Sequence, residues 1–379
     1  MNETTTRSSI VQSSSMVRAS RLYSLLLNLH LVGGLVAGLF LLILSITGSA
    51  LAFSDDIDRL LHPSLFKVVP YGQPLPLSQL AKSAATALHP EDFIQIFVPS
   101  ARPDTSYSFT VFTRHRLPSQ VFVDQYSGRV LGRLSVVRFR GVVQGLHTIP
   151  AVMGCASVIL MFLVPSGLYL WWPLKRVKIN LSGSVRRLSF DLHNSIGFFS
   201  SLFLFVFAAT GAYMAFEPWT VPASYATTHS NPPDRNVVST PQSGVNPISL
   251  DHAAAVAQNS LPDAAIKWIG FPRQPSDVYF ARMRFPEDRS DNGSSEVWID
   301  QFSGKPLRVV SSRAAPLGSK IKNLNRTVHT GAVFGVGGKA LAAWLSLMLS
   351  LQSATGVHMW WSKRRAAALP AGWRRGTQN

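Results

Sequence analysis

The sequence holds a single cysteine, Cys155, in 379 residues. An intrachain disulfide is excluded, and so are a CxxC redox pair and the CxxCH attachment of a covalent haem. Acidic residues are scarce, 19 Asp+Glu against 36 Lys+Arg, and none lies inside the long apolar runs. A carboxylate proton relay within those runs therefore has no candidate residue. No flavin or NAD(P)H fingerprint is present. The glycine-rich stretch Gly331, Gly335, Gly337 and Gly338 follows no strand, so it is not a dinucleotide loop. It reads as a flexible return into an apolar segment. Charge is low overall and segregated from long apolar stretches, which excludes disordered, collagen-like and disulfide-scaffold classes.

What is present is four apolar stretches, roughly 22–53, 147–172, 192–216 and 339–361. Each reaches the ~20 residues that a helix needs to cross hydrocarbon. The first has no small-residue cleavage site and reads as an uncleaved signal anchor. Basic residues gather on one side. They are Arg7, Arg18 and Arg21 before the first span, Lys175, Arg176, Lys178, Arg186 and Arg187 between the second and third, and Lys363, Arg364, Arg365, Arg374 and Arg375 after the fourth. Short basic loops stay cytoplasmic, so both termini are expected there. The formal net charge of +17 is then a topology signal, and nucleic-acid binding is not expected. Trp171-Trp172 and Trp360-Trp361 read as interfacial anchors.

The chain repeats itself. With His30 set on His193, Gly34 falls on Gly197, Thr47-Gly48 on Thr210-Gly211 and Phe53 on Phe216. Val121-Phe-Val-Asp-Gln-Tyr-Ser-Gly matches Val297-Trp-Ile-Asp-Gln-Phe-Ser-Gly, each a hairpin signature. A helical stretch precedes each, near 77–88 and 249–260. Ser166-Gly167 with Trp171-Trp172 matches Thr355-Gly356 with Trp360-Trp361. The expected unit is span, α+β module, span, present twice and related by a pseudo-two-fold axis along the membrane normal. The expected division is a disordered cytoplasmic leader at 1–21, spans at 22–53, 147–172 and 192–216, and an outer return plus span at 329–361. External modules occupy 54–146 and 217–328, and the basic loop and tail occupy 173–191 and 362–379.

Five histidines fall in or beside the spans. His30 and His193 each lie 23 residues before the outer-end Phe53 and Phe216, which is ~35 Å of helix. They belong to the inner half. His147 and His329, in Leu146-His147-Thr148 and Val328-His329-Thr330, are expected to open the returning helices at the outer surface. Paired across an axis, two neutral imidazoles supply both axial ligands of a haem iron. Two such pairs imply two haems, b-type because CxxCH is missing. Gly34 and Gly197, one turn from the inner histidines, would admit a flat macrocycle. Arg138, Arg140, Lys322 and Arg326 near the outer pair are candidates for haem propionates or an anionic substrate, or for a lipid-facing rim. His358 stands opposite Tyr169 rather than a histidine. It is a substitute for His30 or His193 as ligand, a propionate partner, or an interfacial residue. Two histidines are too few for closed zinc.

These segments resemble the PepSY-associated transmembrane family. The resemblance is carried by Leu29-His30-x-x-x-Gly34 through Thr47-Gly48, by Phe53-Ser-Asp-Asp-Ile-Asp58, by the two D-Q-[YF]-S-G hairpins, and by the L-H-T and S-G-L-Y-L-W-W segments. It implies an α-helical protein of the bacterial inner membrane, with four transmembrane helices and two external PepSY-like α+β modules. Members include ferric-siderophore reductases of the ferrioxamine-reductase type with haem between four helices. By that likeness the ligand candidates are His30, His147, His193 and His329, and the partner is a ferric siderophore. The electron donor, whether quinol, a cytoplasmic reductase or reduced flavin, is open. PepSY modules also occur in protease inhibitors and regulators. A non-redox membrane sensor and a quinol-linked cytochrome b with another acceptor are therefore the alternatives.

Overall fold

The computed structural model describes residues 3–113, 118–135, 139–175, 177–241 and 244–368. The chain divides into two compact units. One gathers the described residues of Met1–Ala50, Leu146–Phe216 and Ala340–Asn379, the other those of Leu51–Gly145 and Glu217–Lys339.

The helical unit is built on α1 (Glu3–Leu51), α6 (Pro150–Trp171), α7 (Val185–Ala215) and α11 (Gly335–Ala368). Four helices are long and apolar enough to cross a membrane, as expected of a multi-pass membrane protein. Ala37, Leu41, Ala156, Leu160, Leu163 and Ala208 form its buried core, while Val36, Leu39, Phe199 and Leu202 point outward. Small core residues let helix backbones approach where no hydrophobic force drives them together. Hydroxyls add interhelical links: Ser45 Oγ lies 2.7 Å from Ser350 Oγ, and Ser49 donates to the Ala343 carbonyl at 2.9 Å. Lys175 lies over the Trp172 ring, Arg364 over Trp360 and Arg365 over Trp361. The tandem tryptophans thus carry their own cations.

One sequence expectation is corrected here. His147 and His329 do not open the returning helices but close the short ones before them, α5 (Phe139–His147) and α10 (Leu317–His329). Pro150 at the first turn of α6 sets the start of that span. Gly331, left-handed at φ 72°, and Gly335 at φ 64° break the chain between α10 and α11, and both backbone conformations favour glycine.

The sheet unit carries α2 (Ser54–Leu61), α3 (Pro63–Phe66), α4 (Leu77–Ala85), α8 (Glu217–Thr227), α9 (Leu250–Ser260) and eight strands. These are β1 (Phe93–Val98), β2 (Tyr107–Phe112), β3 (Ser119–Val123), β4 (Val130–Ser135), β5 (Ala265–Gly270), β6 (Val278–Arg284), β7 (Ser295–Asp300) and β8 (Pro306–Val310). They form one antiparallel sheet in the order β4-β3-β2-β1-β5-β6-β7-β8. The two modules expected from the repeat are therefore joined, through Ile96 opposite Gly270 and Phe97 opposite Ile269. That pairing removes two exposed strand edges. One core lies between α4, α9 and the sheet, with Leu80, Phe97, Phe109, Val121, Ala253, Ile269, Met283 and Val297 almost fully buried. The unit extends beyond the expected 328 to Lys339, whose ammonium pairs with Asp291.

The repeated hairpin motif is structural. Asp124 accepts from the Tyr126 N–H at 2.9 Å and the Ser127 hydroxyl at 2.7 Å. Asp300 accepts from the Phe302 and Ser303 N–H groups at 2.9 and 2.7 Å. These are side-chain-closed turns, each ended by a glycine, Gly128 at φ 73° and Gly304 at φ 72°. The glutamine ties the turn to an earlier loop. The Gln125 amide donates to Pro103 and Thr105 carbonyls, and that of Gln301 to Gln274, Pro275 and Asp277 carbonyls.

Candidate functional site

Each of three histidines in the helical unit rests on a Ser/Thr–Gly dipeptide of a neighbouring helix. His30 on α1 places Nδ1 2.9 Å from the Ser166 hydroxyl of α6. A Cβ on the next residue, Gly167, would lie 3.1 Å from His30 Cε1. His193 on α7 places Nδ1 3.2 Å from Thr355 Oγ1 and 3.2 Å from the Gln352 carbonyl, both on α11. A Cβ on Gly356 would lie 3.3 Å from its Cε1. His147 places Nδ1 3.0 Å from Thr47 Oγ1 of α1, and a Cβ on Gly48 would lie 2.9 Å from its Cε1. His30 and Thr47 are 17 residues apart on one helix, about 25 Å. The unit therefore holds histidines at two levels.

At the first level His30 and His193 face each other. Their ring centres are 6.5 Å apart and their planes are perpendicular, at 88°. Two imidazoles bound to one metal through bonds of about 2 Å place their ring centres roughly 6 Å apart. The spacing would allow the two rings to hold one metal between them, and Nδ1 of each ring is engaged with a polar group, as is usual behind a ligating nitrogen. Among the described residues no group of three or more His, Cys, Asp or Glu could hold a metal ion. A closed zinc site is thus not built there. His147 belongs to the helical unit and His329 to the sheet unit, and each is described within its own unit.

The other sequence candidates fall as follows. Gly34 has open space where a side chain would be, whereas Gly197 is filled by the Gln352 amide, 3.0 Å from the Cβ position. That amide also donates to the His193 carbonyl at 2.8 Å. His358 has hydroxyls at both ring nitrogens, Ser189 2.8 Å from Nδ1 and Ser362 3.2 Å from Nε2. Arg140 pairs with Asp55 and Lys322 with Glu217. Each pair joins the helix before a returning span to the segment after the preceding span, and each spends the cation on a carboxylate already present. Arg326 is exposed, and Arg138 lies outside the described residues. Sequence reasoning missed Ser166, Thr355 and Thr47. The signal was available, because each span carries one Ser/Thr–Gly dipeptide.

The PepSY-associated TM region matches residues 27–363. The chain belongs to that family. A search of curated proteins finds no match. The family region takes in all three histidine seats and both halves of the sheet, so fold and candidate site belong to one family unit.

Proposed function

We propose that this PepSY-associated membrane protein is a di-haem b electron conduit of the bacterial inner membrane that reduces a ferric siderophore on the periplasmic side. Siderophores hold Fe(III) far more tightly than Fe(II). Transfer of one electron to the chelated iron therefore releases the metal, with no bond to carbon made or broken. The observation that carries the reading is the facing pair His30 and His193, at the spacing of two axial ligands with both Nδ1 atoms occupied. Haem iron bound there would supply one-electron chemistry that no side chain of this chain offers. His30 and His193 would hold the inner group, and His147 would serve the outer one. The apolar helices exclude water from the inner pair, and ligation and burial set its potential. The basic residues flanking the spans put both termini in the cytoplasm, so electrons enter there, from quinol, a cytoplasmic reductase or reduced flavin.

The test is the absorption spectrum of detergent-purified protein, oxidised and dithionite-reduced, with haem quantified per chain. Two low-spin b-haems are expected, reoxidised by ferric siderophore, and His147→Ala is expected to abolish that reoxidation. Two haems that ignore ferric chelates would assign another acceptor. A colourless protein that cannot be reconstituted would discard the redox reading in favour of a PepSY sensor.

A further inference from the structure

We propose that Ser166, Thr355 and Thr47 are positioning residues. Each fixes its histidine in the Nδ1–H tautomer and presents Nε2 as the lone-pair nitrogen, while the glycine that follows sets how deep the ring sits. The use made of that nitrogen rests on the haem reading above, but the tautomer does not.

The argument is a count of protons. A serine or threonine hydroxyl has one proton and can accept as well. Ser166 gives its proton to the Phe162 carbonyl at 2.8 Å, Thr355 to that of Leu351 at 2.7 Å and Thr47 to that of Ile43 at 2.7 Å. Each donation goes one helical turn back, the ordinary bond of these residues inside a helix. With the proton spent, the oxygen faces the imidazole only as an acceptor. Nδ1 must then be the donor, and a neutral imidazole has one N–H. At His193 the conclusion has a second support, because the Gln352 carbonyl 3.2 Å from Nδ1 can only accept. All three rings therefore carry their lone pair on Nε2.

The glycines complete the seat. Glycine inside a helix costs about 1 kcal/mol relative to alanine, so its presence there needs a packing reason. Here the reason is the ring. Cε1, the carbon between the two nitrogens, occupies the space that a Cβ would take, at 3.1 Å for Gly167, 3.3 Å for Gly356 and 2.9 Å for Gly48. A methyl group there pushes the ring off its hydroxyl. His358 has no such seat. Hydroxyls meet both of its nitrogens, it offers no lone pair outward, and it stands outside the ligand set.

The experiment uses full-length protein labelled with 15N-histidine and purified without haem. Nitrogen shifts separate the two neutral tautomers, and His→Asn variants assign the signals. His30, His193 and His147 are expected as Nδ1–H. Ser166→Ala should mix the tautomers of His30 while leaving those of His147 unchanged, and Ser166→Thr should restore the wild-type state. In haem-loaded protein Ser166→Ala should weaken retention of the inner group about 10–100-fold and move its midpoint potential to more positive values. Ring displacement should follow the order Gly48→Ala, Gly167→Ala, Gly356→Ala, largest first. An Nε2–H tautomer in the wild type, or a His30 tautomer indifferent to Ser166→Ala, would overturn the proposal even if haem binds. Nδ1–H tautomers in a protein that takes up no haem would leave the seats standing and remove only the haem reading.

Discussion

Asp251 joins two helices of the sheet unit, and its removal should be measurable. Its carboxylate accepts the Leu77 N–H at 2.5 Å and the Ser78 N–H at 3.0 Å. Those are the first amides of α4, whose own N-cap residue, Pro76, makes no side-chain cap. Asp251 thus caps α4 from the first turn of α9, and the two helices cover the same core. A cap is worth ~1 kcal/mol and a hydrogen bond to a charged group about 1.5–3 kcal/mol. Since the amides regain water on truncation, Asp251→Ala should cost about 2 kcal/mol, or about 4–8 °C in melting temperature for a unit of this size. Asp251→Asn keeps one acceptor oxygen and should lose about half as much. Burial raises the Asp251 pKa, but the hydrogen bonds from Ser78 and Leu77 outweigh it, and the net shift is downward. A carboxyl whose folded pKa lies below its unfolded value of ~3.9 stabilises fully above that value. The stabilisation is lost as pH falls through the folded pKa. The assay is thermal unfolding of the full-length protein in detergent, followed by near-ultraviolet circular dichroism from pH 3 to 7, with amide exchange read at Leu77 and Ser78. The alanine variant should melt lower at neutral pH and converge with wild type at the acid end. An unchanged melting temperature with unchanged exchange in α4 would refute the reasoning, as would equal losses for Asn and Ala.

Two further substitutions separate backbone strain from contact. Gly293 sits at φ 70° with a would-be Cβ 2.2 Å from the Met283 carbonyl oxygen, whereas Gly72 sits at φ 59° in open space. Gly293→Ala should cost roughly 3 kcal/mol or more and Gly72→Ala about 1 kcal/mol, and denaturant melts should rank them so. Asp55→Ala should change stability by no more than ~1 kcal/mol, because the Asp55–Arg140 pair is well exposed. The effect should fade in high salt.

The apolar spans were legible because length and absence of charge decide them, and four helices long and apolar enough to cross a membrane are present. The hairpins were legible for a different reason: the D-x-x-S-G turn is local chemistry, and its aspartate, serine and glycine contact one another. What could not be read was the pairing of β1 with β5. Strand edges look alike in sequence, and joining them depends on bringing residues 96 and 270 together, a long-range event with no local signature.

The site divides along the same line. His30 and His193 were ranked first, with His358 as the substitute, because the repeat matched them, and the structure brings their ring centres to 6.5 Å. A histidine's use also depends on what holds its nitrogens. The difference is set by the partners, of which Ser166, Thr355 and Ser189 lie more than a hundred residues from their histidines: Ser166 and Thr355 each engage Nδ1, while Ser189 and the nearby Ser362 together engage both nitrogens of His358. The Ser/Thr–Gly dipeptides were visible as landmarks of the repeat, yet their meaning needs two facts that only coordinates supply. One is that the hydroxyl proton is already given to its own helix, and the other is that the glycine faces a ring. Gln352 shows where symmetry stops. Its counterpart by the repeat is Leu163, which can neither fill Gly197 nor bond the backbone of a histidine. The two inner histidines therefore sit in unlike surroundings, since the Gln352 amide bonds the His193 backbone carbonyl and Leu163, its counterpart, has no such group. The unmatched polar residue explains why the two histidines need not be equivalent.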